Sequence, residues 1–391
     1  MLERAKALLQ PSARSGVPPF MVKDVMAAAA RLEAQGRTIV HMEVGQPAAG
    51  APATAIAAVR AALGNDAHGY TATLGLAPLR QRIARSYAQW HGLDLDPERI
   101  VVTTGSSAAF MLAFVALFEA GDRIAVAVPG YPPYRHILSA LGCEPVLIET
   151  SADTRWALTG DLLVAQHRAR ALKGVVVGSP ANPTGTMMSA AALGELIRSA
   201  EDAGIAVISD EIYHGLDYAF RAQSAASLSA NTIVVNSFSK YFCMTGWRIG
   251  WMVVPPSLLR TMERLQQNLA ISVPTLSQIA AQAALDGREE LEIIKHGYEE
   301  NRRILLDGLP RAVLDSFLPV DGAFYLYADT SRFAHDSFDF AKRMLEQAGV
   351  AATPGVDFDP VHGRNFLRLC YAGSREDMHE AVKRIGAWLK A

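Results

Sequence analysis

The sequence predicts an α/β protein, with a large domain holding a mostly parallel sheet between helices and a smaller α+β domain. Two observations carry that prediction. Between Ile100 and Val254, short β-branched and apolar runs recur with helical stretches among them, the rhythm of a mostly parallel sheet covered on both faces. Beyond Pro256 the chain turns helical and then mixes helices with two late strands. A chain of 391 residues, 50% of them hydrophobic, is long enough for one large or two ordinary domains with a substantial core.

The elements follow in order. The opening segment ends in Val17-Pro18-Pro19-Phe20, extended by proline restriction, and reads as an arm. Val22 to Gln35 is alanine-rich and meets Gly36, a helix with a glycine stop. Thr38 to Gly45 alternates as a strand and runs into the turn Gly45-Gln46-Pro47. Pro52 to Leu63 reads as a helix closed by Gly64-Asn65, and Leu76 to Trp90 as another, after the loop Gly69-Tyr70-Thr71.

Ile100 to Thr103 opens the sheet, and Gly105-Ser106-Ser107 leads into an apolar helix reaching Phe118. A strand at Arg123 to Val128, a turn through Tyr131 and a helix to Leu141 come next. Pro145 to Ile148, Gly174 to Val177, Ile205 to Ser209, Thr232 to Val235 and Ile249 to Val254 read as further buried strands, with a helix at Ser189 to Ala203. Ser257 to Leu269, Thr275 to Leu285 and Glu289 to Leu309 are helical. The last of these leaves the sheet domain for one with strands at Ala323 to Ala328 and Phe366 to Cys370 and helices at Ser337 to Gln347 and Glu376 to Leu389. The expected division is 1–44 as arm and part of the small domain, 45–288 as the large domain, and 289–391 as the small C-terminal domain.

Composition excludes several classes. A net charge of −2 without a basic run argues against a nucleic-acid surface. Cys143, Cys243 and Cys370 are far apart, with no metal spacing and no paired framework, so no metal is expected. Glu3, Arg4, Lys6 and Arg14 interrupt the N-terminus, which has no signal-peptide core, and no stretch approaches the roughly 20 apolar residues of a membrane span. A cytoplasmic location is expected.

The chemistry centres on Asn236 to Trp251. Lys240 falls in the turn between two buried strands, where desolvation lowers a lysine pKa and leaves a nucleophilic amine. Such lysines form Schiff bases with carbonyl compounds. Arg248 and the hydroxyls of Ser237 and Ser239 suit a phosphate. A carbonyl and a phosphate on one ligand suggest pyridoxal phosphate (PLP). The bland reading of the same stretch is a surface hairpin with two ordinary cations.

Other clusters also follow strands. Ser179 to Gly185 reads as a turn or as a loop that presents Asn182; Asp210, before Glu211, Ile212 and Tyr213, reads as a cap or as a buried carboxylate. Ser106 and Ser107 are N-caps on the bland reading, and Arg368 within an apolar strand pairs with a structural carboxylate. Together they meet the demands of PLP. Asp210 suits the pyridine nitrogen, which must stay protonated for the ring to act as electron sink, while Asn182 and Tyr213 suit the ring oxygen. Ser106, Ser107 and Arg248 suit the phosphate at a helix N-terminus, Tyr131 suits stacking on the ring, and Arg368 suits a substrate α-carboxylate.

On these motifs the chain resembles the fold-type I PLP-dependent aminotransferases of class I/II, the aspartate aminotransferase-like superfamily, over essentially its whole length. The matching segments are 179–185, 210–213, 237–240, 244–250 and 366–372. The resemblance implies Lys240 as the aldimine lysine, Asp210 on the ring nitrogen, Asn182 and Tyr213 on the ring oxygen, and Ser237 and Arg248 on the phosphate. It also implies Tyr131 stacked on the ring, Arg368 on the substrate carboxylate and Gly45 facing that carboxylate. Tyr70 matches a tyrosine that reaches a neighbouring subunit's phosphate, so a homodimer is expected. The implied reaction moves an amino group between an amino acid and a 2-oxo acid.

Two positions depart from the family pattern. Ser107 stands where a subgroup of aspartate aminotransferases has a lysine for the distal carboxylate, and the Gly45-Gln46-Pro47-Ala48 turn lacks the acidic-aromatic pair that often follows. The alternatives are a PLP lyase or decarboxylase on the same scaffold, and a ligand-sensing regulator. For a regulator the first 44 residues offer too little charge and length for a DNA-binding domain.

Overall fold

Seven short apolar segments of the chain form one sheet, the inner ones buried on both faces and the last strand at an edge. In the computed structural model, which describes residues 9–64 and 68–391, the strands are β1 (Val40–His41), β2 (Ile100–Thr103), β3 (Arg123–Val128), β4 (Glu144–Glu149), β5 (Gly174–Gly178), β6 (Ala206–Asp210), β7 (Ile233–Ser237), β8 (Gly250–Val253), β9 (Tyr325–Asp329), β10 (Val350–Ala351), β11 (Thr353–Pro354) and β12 (Phe366–Cys370). Glu3, Arg4, Lys6 and Asn65 lie outside the described residues.

The large sheet runs β2-β8-β7-β6-β5-β3-β4. Pairings among β7, β6, β5, β3 and β4 are parallel, and β8 alone runs antiparallel to both of its neighbours, β7 and β2. Alternate residues along a strand point to opposite faces. Val101, Ile124, Val126, Val176, Ile208 and Val235 pack with the helices Gly105–Leu117 and Leu259–Leu269. Val102, Ala125, Val175, Val177, Val207 and Val234 pack with Ala77–His91, Ala190–Asp202 and Thr275–Ala284 on the other face. Each fully buried Val or Ile contributes about 1.5–3 kcal/mol, so the sheet's identity rests on many moderate terms.

A second sheet, β11-β12-β9, is antiparallel, and β1 pairs with β10 in parallel. The long helix Arg288–Arg311 packs against Arg375–Lys390 beside it. The Met21–Glu33 helix rests there too, with Ala29 against Ile39, Leu345 and Ala351. Among the described residues no helix is long and apolar enough to cross a membrane.

The expected strand over Thr38 to Gly45 is only Val40–His41. Beyond it the backbone serves side chains instead of a ladder. The Glu43 carbonyl accepts from Thr353 Oγ1 at 2.9 Å and from Arg368, and the Gly45 carbonyl accepts from Lys240. The strand expected from Ala323 begins at Tyr325, because Ala323 takes a left-handed φ of 58°. The helix expected at Ser337 to Gln347 is α-helical over Ser337–Arg343 and continues as a π-helical turn over Met344–Ala348.

Candidate active site

The parallel strands of the large sheet deliver their following loops to one edge, the place where open α/β sheets collect ligands. Residues after β3 bring Tyr131 and Tyr134, those after β5 bring Asn182, and the end of β6 brings Asp210. The β7–β8 connection brings Ser239, Lys240, Thr245 and Arg248 to the same edge. The peptide bonds before Pro129, Pro180 and Pro183 in two of these loops are cis.

The side chains enclose a cavity of about 220 Å³. Its lining contains Lys240, Arg248, Arg368 and Lys23 but no aspartate or glutamate. Such a cavity favours anionic ligands, since its cations meet no internal carboxylate. A smaller adjoining cavity of about 50 Å³ shares Tyr131, Asn182, Ile212 and Tyr213 with it and is also lined by Asp210.

Lys240 Nζ donates to the Gly45 carbonyl at 2.6 Å, and burial lowers its pKa to about 8. A neutral amine is therefore accessible near physiological pH. Asp210 is 4% exposed. Its Oδ2 accepts from the Tyr134 hydroxyl and its Oδ1 from the Ile212 N–H at 3.1 Å, yet burial still pushes its pKa up to about 6. His214 Nε2 lies 3.2 Å from the Ser179 carbonyl and ties the Asp210 segment to the loop carrying Asn182.

Hydrogen-bond donors gather on the larger cavity's lining at the start of the Gly105–Leu117 helix. The Gly105–Leu117 helix begins without a side-chain cap, so its first N–H groups remain available beside Ser106 and Ser107. Gly105 has φ +75°, and a Cβ there would come within 2.7 Å of the Arg248 guanidinium. Arg248, itself left-handed at φ 51°, donates to the Thr245 carbonyl at 3.0 Å. Ser239 lines the cavity, whereas Ser237 stands behind it. The Ser237 hydroxyl donates to Ser239 Oγ at 2.8 Å and accepts from the Ser239 N–H at 3.0 Å.

A buried guanidinium also lines the cavity. Arg368 is 1% exposed, with its guanidinium carbon 4.5 Å from the Tyr325 ring centroid and 4.6 Å from that of Phe358. Nη1 donates to Asn182 Oδ1 at 3.0 Å and Nη2 to the Glu43 carbonyl and Thr353 Oγ1, while the buried Nε has no partner. The structural carboxylate of the bland reading is absent from these partners. Tyr213 donates to or accepts from Tyr325 across 2.7 Å.

The structure thus brings together Gly45, Ser106, Ser107, Tyr131, Asn182, Tyr213, Ser239, Lys240, Arg248 and Arg368 around one cavity, with Asp210 on its smaller neighbour. Tyr70 is elsewhere, 84% exposed and outside both linings. Sequence reasoning missed Tyr325, Tyr134 and the wall made by Phe20, Val22 and Met26. Tyr134 carried a usable signal, three residues after Tyr131 at the start of a helix; Tyr325 lay within an apolar strand and carried none.

The chain is similar to known proteins over nearly its whole length. The pattern of the aminotransferase class I and II family matches residues 37–385. A valine–pyruvate aminotransferase of Mycobacterium tuberculosis is 47% identical over 380 residues, covering 96% of this chain and 97% of its own. The crystal structure of an aminotransferase from the same organism superposes with a TM-score of 0.95 at 46% identity, covering 98% of this chain and 99% of that one. Aspartate aminotransferase from Thermus thermophilus with maleate gives 0.90 at 32% identity, covering 97% and 99%.

Proposed function

The chain belongs to the class I and II aminotransferases, and from that premise we propose which residues do its work and on what. It is a PLP-dependent enzyme that transfers an amino group between an amino acid and a 2-oxo acid. The relatives named above are aminotransferases, and none supports the lyase or decarboxylase alternative.

The residues present suit PLP. Gly105 leaves the room that a side chain would fill, the uncapped helix start and Arg248 offer donors for a phosphate, and Lys240 is a half-buried amine whose pKa desolvation lowers. Ser106, Ser107, Ser239 and Arg248 would hold the phosphate, with Ser237 orienting Ser239. Tyr131 would lie against the ring, Asn182 and Tyr213 would donate to its oxygen, and Asp210 would keep its nitrogen protonated. When bound, the cofactor supplies the carbonyl that joins the amine and the ring that takes up the electron pair left at Cα.

The rest falls to the protein. Arg368 grips the substrate α-carboxylate, with the Gly45 backbone alongside, and fixes which Cα bond faces the ring. Lys240 would take the proton from Cα as a base and, as its conjugate acid, give it up at the carbon on the other side of the shared nitrogen. The observation that carries this reading is the half-buried Lys240 amine, which shares with Arg248 and Arg368 a cavity whose lining holds no carboxylate.

We further propose a branched aliphatic donor with pyruvate as acceptor. Phe20, Val22, Met26 and Val44 form an apolar wall, and the Mycobacterium relative is named for valine and pyruvate. The assembly is proposed to be a homodimer. Tyr70 is exposed, as are Met111 and Val115 on the Gly105–Leu117 helix and Leu269 and Ile271 at the end of the helix it packs on. Three buried, unpaired cysteines suit a reducing cytoplasm. The division into 45–288 and a smaller domain from 1–44 and 289–391 is supported by the separate sheets, β1 pairing with β10 across it.

The test is borohydride reduction of the purified protein followed by peptide mass spectrometry, with a donor panel against pyruvate, 2-oxoglutarate and oxaloacetate. An adduct on a lysine other than Lys240 overturns the assignment. Preference for an acidic donor overturns the aliphatic one.

A further inference from the structure

Tyr325 enters the site from β9 of the small sheet and is 1% exposed. Three contacts fix it. Its ring covers the Arg368 guanidinium, its hydroxyl lies 2.7 Å from that of Tyr213, and a Cβ on Gly45 would fall 1.9 Å from the same hydroxyl. Only a glycine at position 45 leaves that oxygen where it is. The rings of Tyr213 and Tyr325 meet edge to face at 5.6 Å, and Phe324 closes on both.

We propose that Tyr325 is a positioning residue for transamination, its hydroxyl donating to Tyr213 and so making Tyr213 a stronger donor to the cofactor's ring oxygen. This rests on the assignment of Tyr213 above. The direction follows from counting protons. Burial holds both phenols above the ordinary tyrosine range, so each keeps one proton. If Tyr213 gives its proton to the ring oxygen, the proton between the two hydroxyls belongs to Tyr325. A hydroxyl that accepts a hydrogen bond is polarised into a better donor, the cooperative effect of hydrogen-bond chains. The chain also reaches from the small sheet to the loop after β6, so the oxygen's donor is held from both sides.

The experiment uses the resting holoenzyme without substrate, reading the visible absorbance of the Lys240-bound cofactor against pH. Donors to the ring oxygen hold the titration midpoint down. Tyr213→Phe is expected to raise it, and Tyr325→Phe to raise it by a smaller step of about half a unit to one unit. In the double variant, Tyr325→Phe is expected to add nothing to Tyr213→Phe. A shift from Tyr325→Phe that persists without the Tyr213 hydroxyl overturns the relay, as does no shift at all while Tyr213→Phe moves the midpoint. No shift from Tyr213→Phe removes the Tyr213 assignment and the relay with it.

Phenylalanine keeps the ring over Arg368. The dissociation constant for 2-hydroxy-3-methylbutyrate, an unreactive carboxylate, is therefore expected to stay within about twofold in Tyr325→Phe, since the cation–π contact survives. A larger loss would place Tyr325's effect at Arg368 and overturn the relay.

Discussion

Lys240 Nζ donates to the Gly45 carbonyl at 2.6 Å, joining residues 195 positions apart. The contact holds a cation in a place that taxes it. With its pKa near 8 against 10.5 for the free side chain, Lys240 is charged in both folded and unfolded chains below pH 8, where the burial penalty is fully present. Between those values the unfolded chain holds the extra proton, so stability rises with pH. Lys240→Met in cofactor-free protein is expected to be on the order of 2 kcal/mol more stable than wild type at neutral pH, with the difference closing above pH 10. Urea melts across pH measure it; a variant less stable than wild type would mean that the bond to Gly45 outweighs the burial.

Asp210 titrates near 6 instead of 3.8, again through burial. Its folded pKa is raised, so its cost is absent below the unfolded value, grows between the two and is complete above pH 6. Asp210→Asn is therefore expected to leave cofactor-free protein at least as stable as wild type at pH 7. Turnover, in contrast, should fall at least about a hundredfold if the carboxylate holds the ring nitrogen's proton, a loss of roughly 3 kcal/mol in the barrier. Near-normal kcat would reduce Asp210 to a cap for the Ile212 N–H.

At Arg368 the geometry of the fork is expected to matter more than its charge. Arg368→Lys keeps the cation but loses contacts to Asn182, Glu43 and Thr353 that hold the guanidinium plane. A fall in kcat/KM for amino acids of about a hundredfold is expected, with weaker discrimination against amines lacking a carboxylate. Steady-state kinetics on an amino acid and its decarboxylated amine decide it, and unchanged values for both would make the arginine structural.

Tyr70, 84% exposed in the single chain, gives the assembly its test. Tyr70→Phe and Lys240→Ala, assayed apart and then mixed, should recover activity in hybrids, because both lesions fall in one site and the other site is whole. Recovery requires Tyr70→Phe to be impaired alone. A fully active monomer at assay concentration, by sedimentation, would remove the shared site.

Much of this was legible in the chain. All seven strands of the large sheet stood out as short apolar runs, which is how strands buried on both faces read, and the half-buried edge strand Glu144–Glu149 shares that run at its centre. Lys240, Asn182, Asp210, Arg248 and Arg368 stood out as polar residues beside such runs. What stayed hidden depends on distance in sequence. Tyr325 reads as one more apolar residue until the fold sets it against Tyr213, 112 positions away, and Gly45. The arm through Phe20 gave no hint that it walls the cavity, since that contact is made with Tyr131, their rings 6.3 Å apart. The helix Gly160–Ala169 went unmarked because its alternation of apolar and polar residues is weak and its start rests on one Thr159 cap.

The cavity's donor-rich side and its apolar wall are drawn from different stretches of chain: the first from Ser106, Ser107, Ser239, Lys240, Thr245 and Arg248, the second largely from Phe20, Val22, Met26 and Val44. In a lineage of such enzymes, that separation lets diet change without machinery. A library randomised at Val22 and Met26, leaving Phe20 against Tyr131, should yield catalysts of new appetite that still carry the same coenzyme.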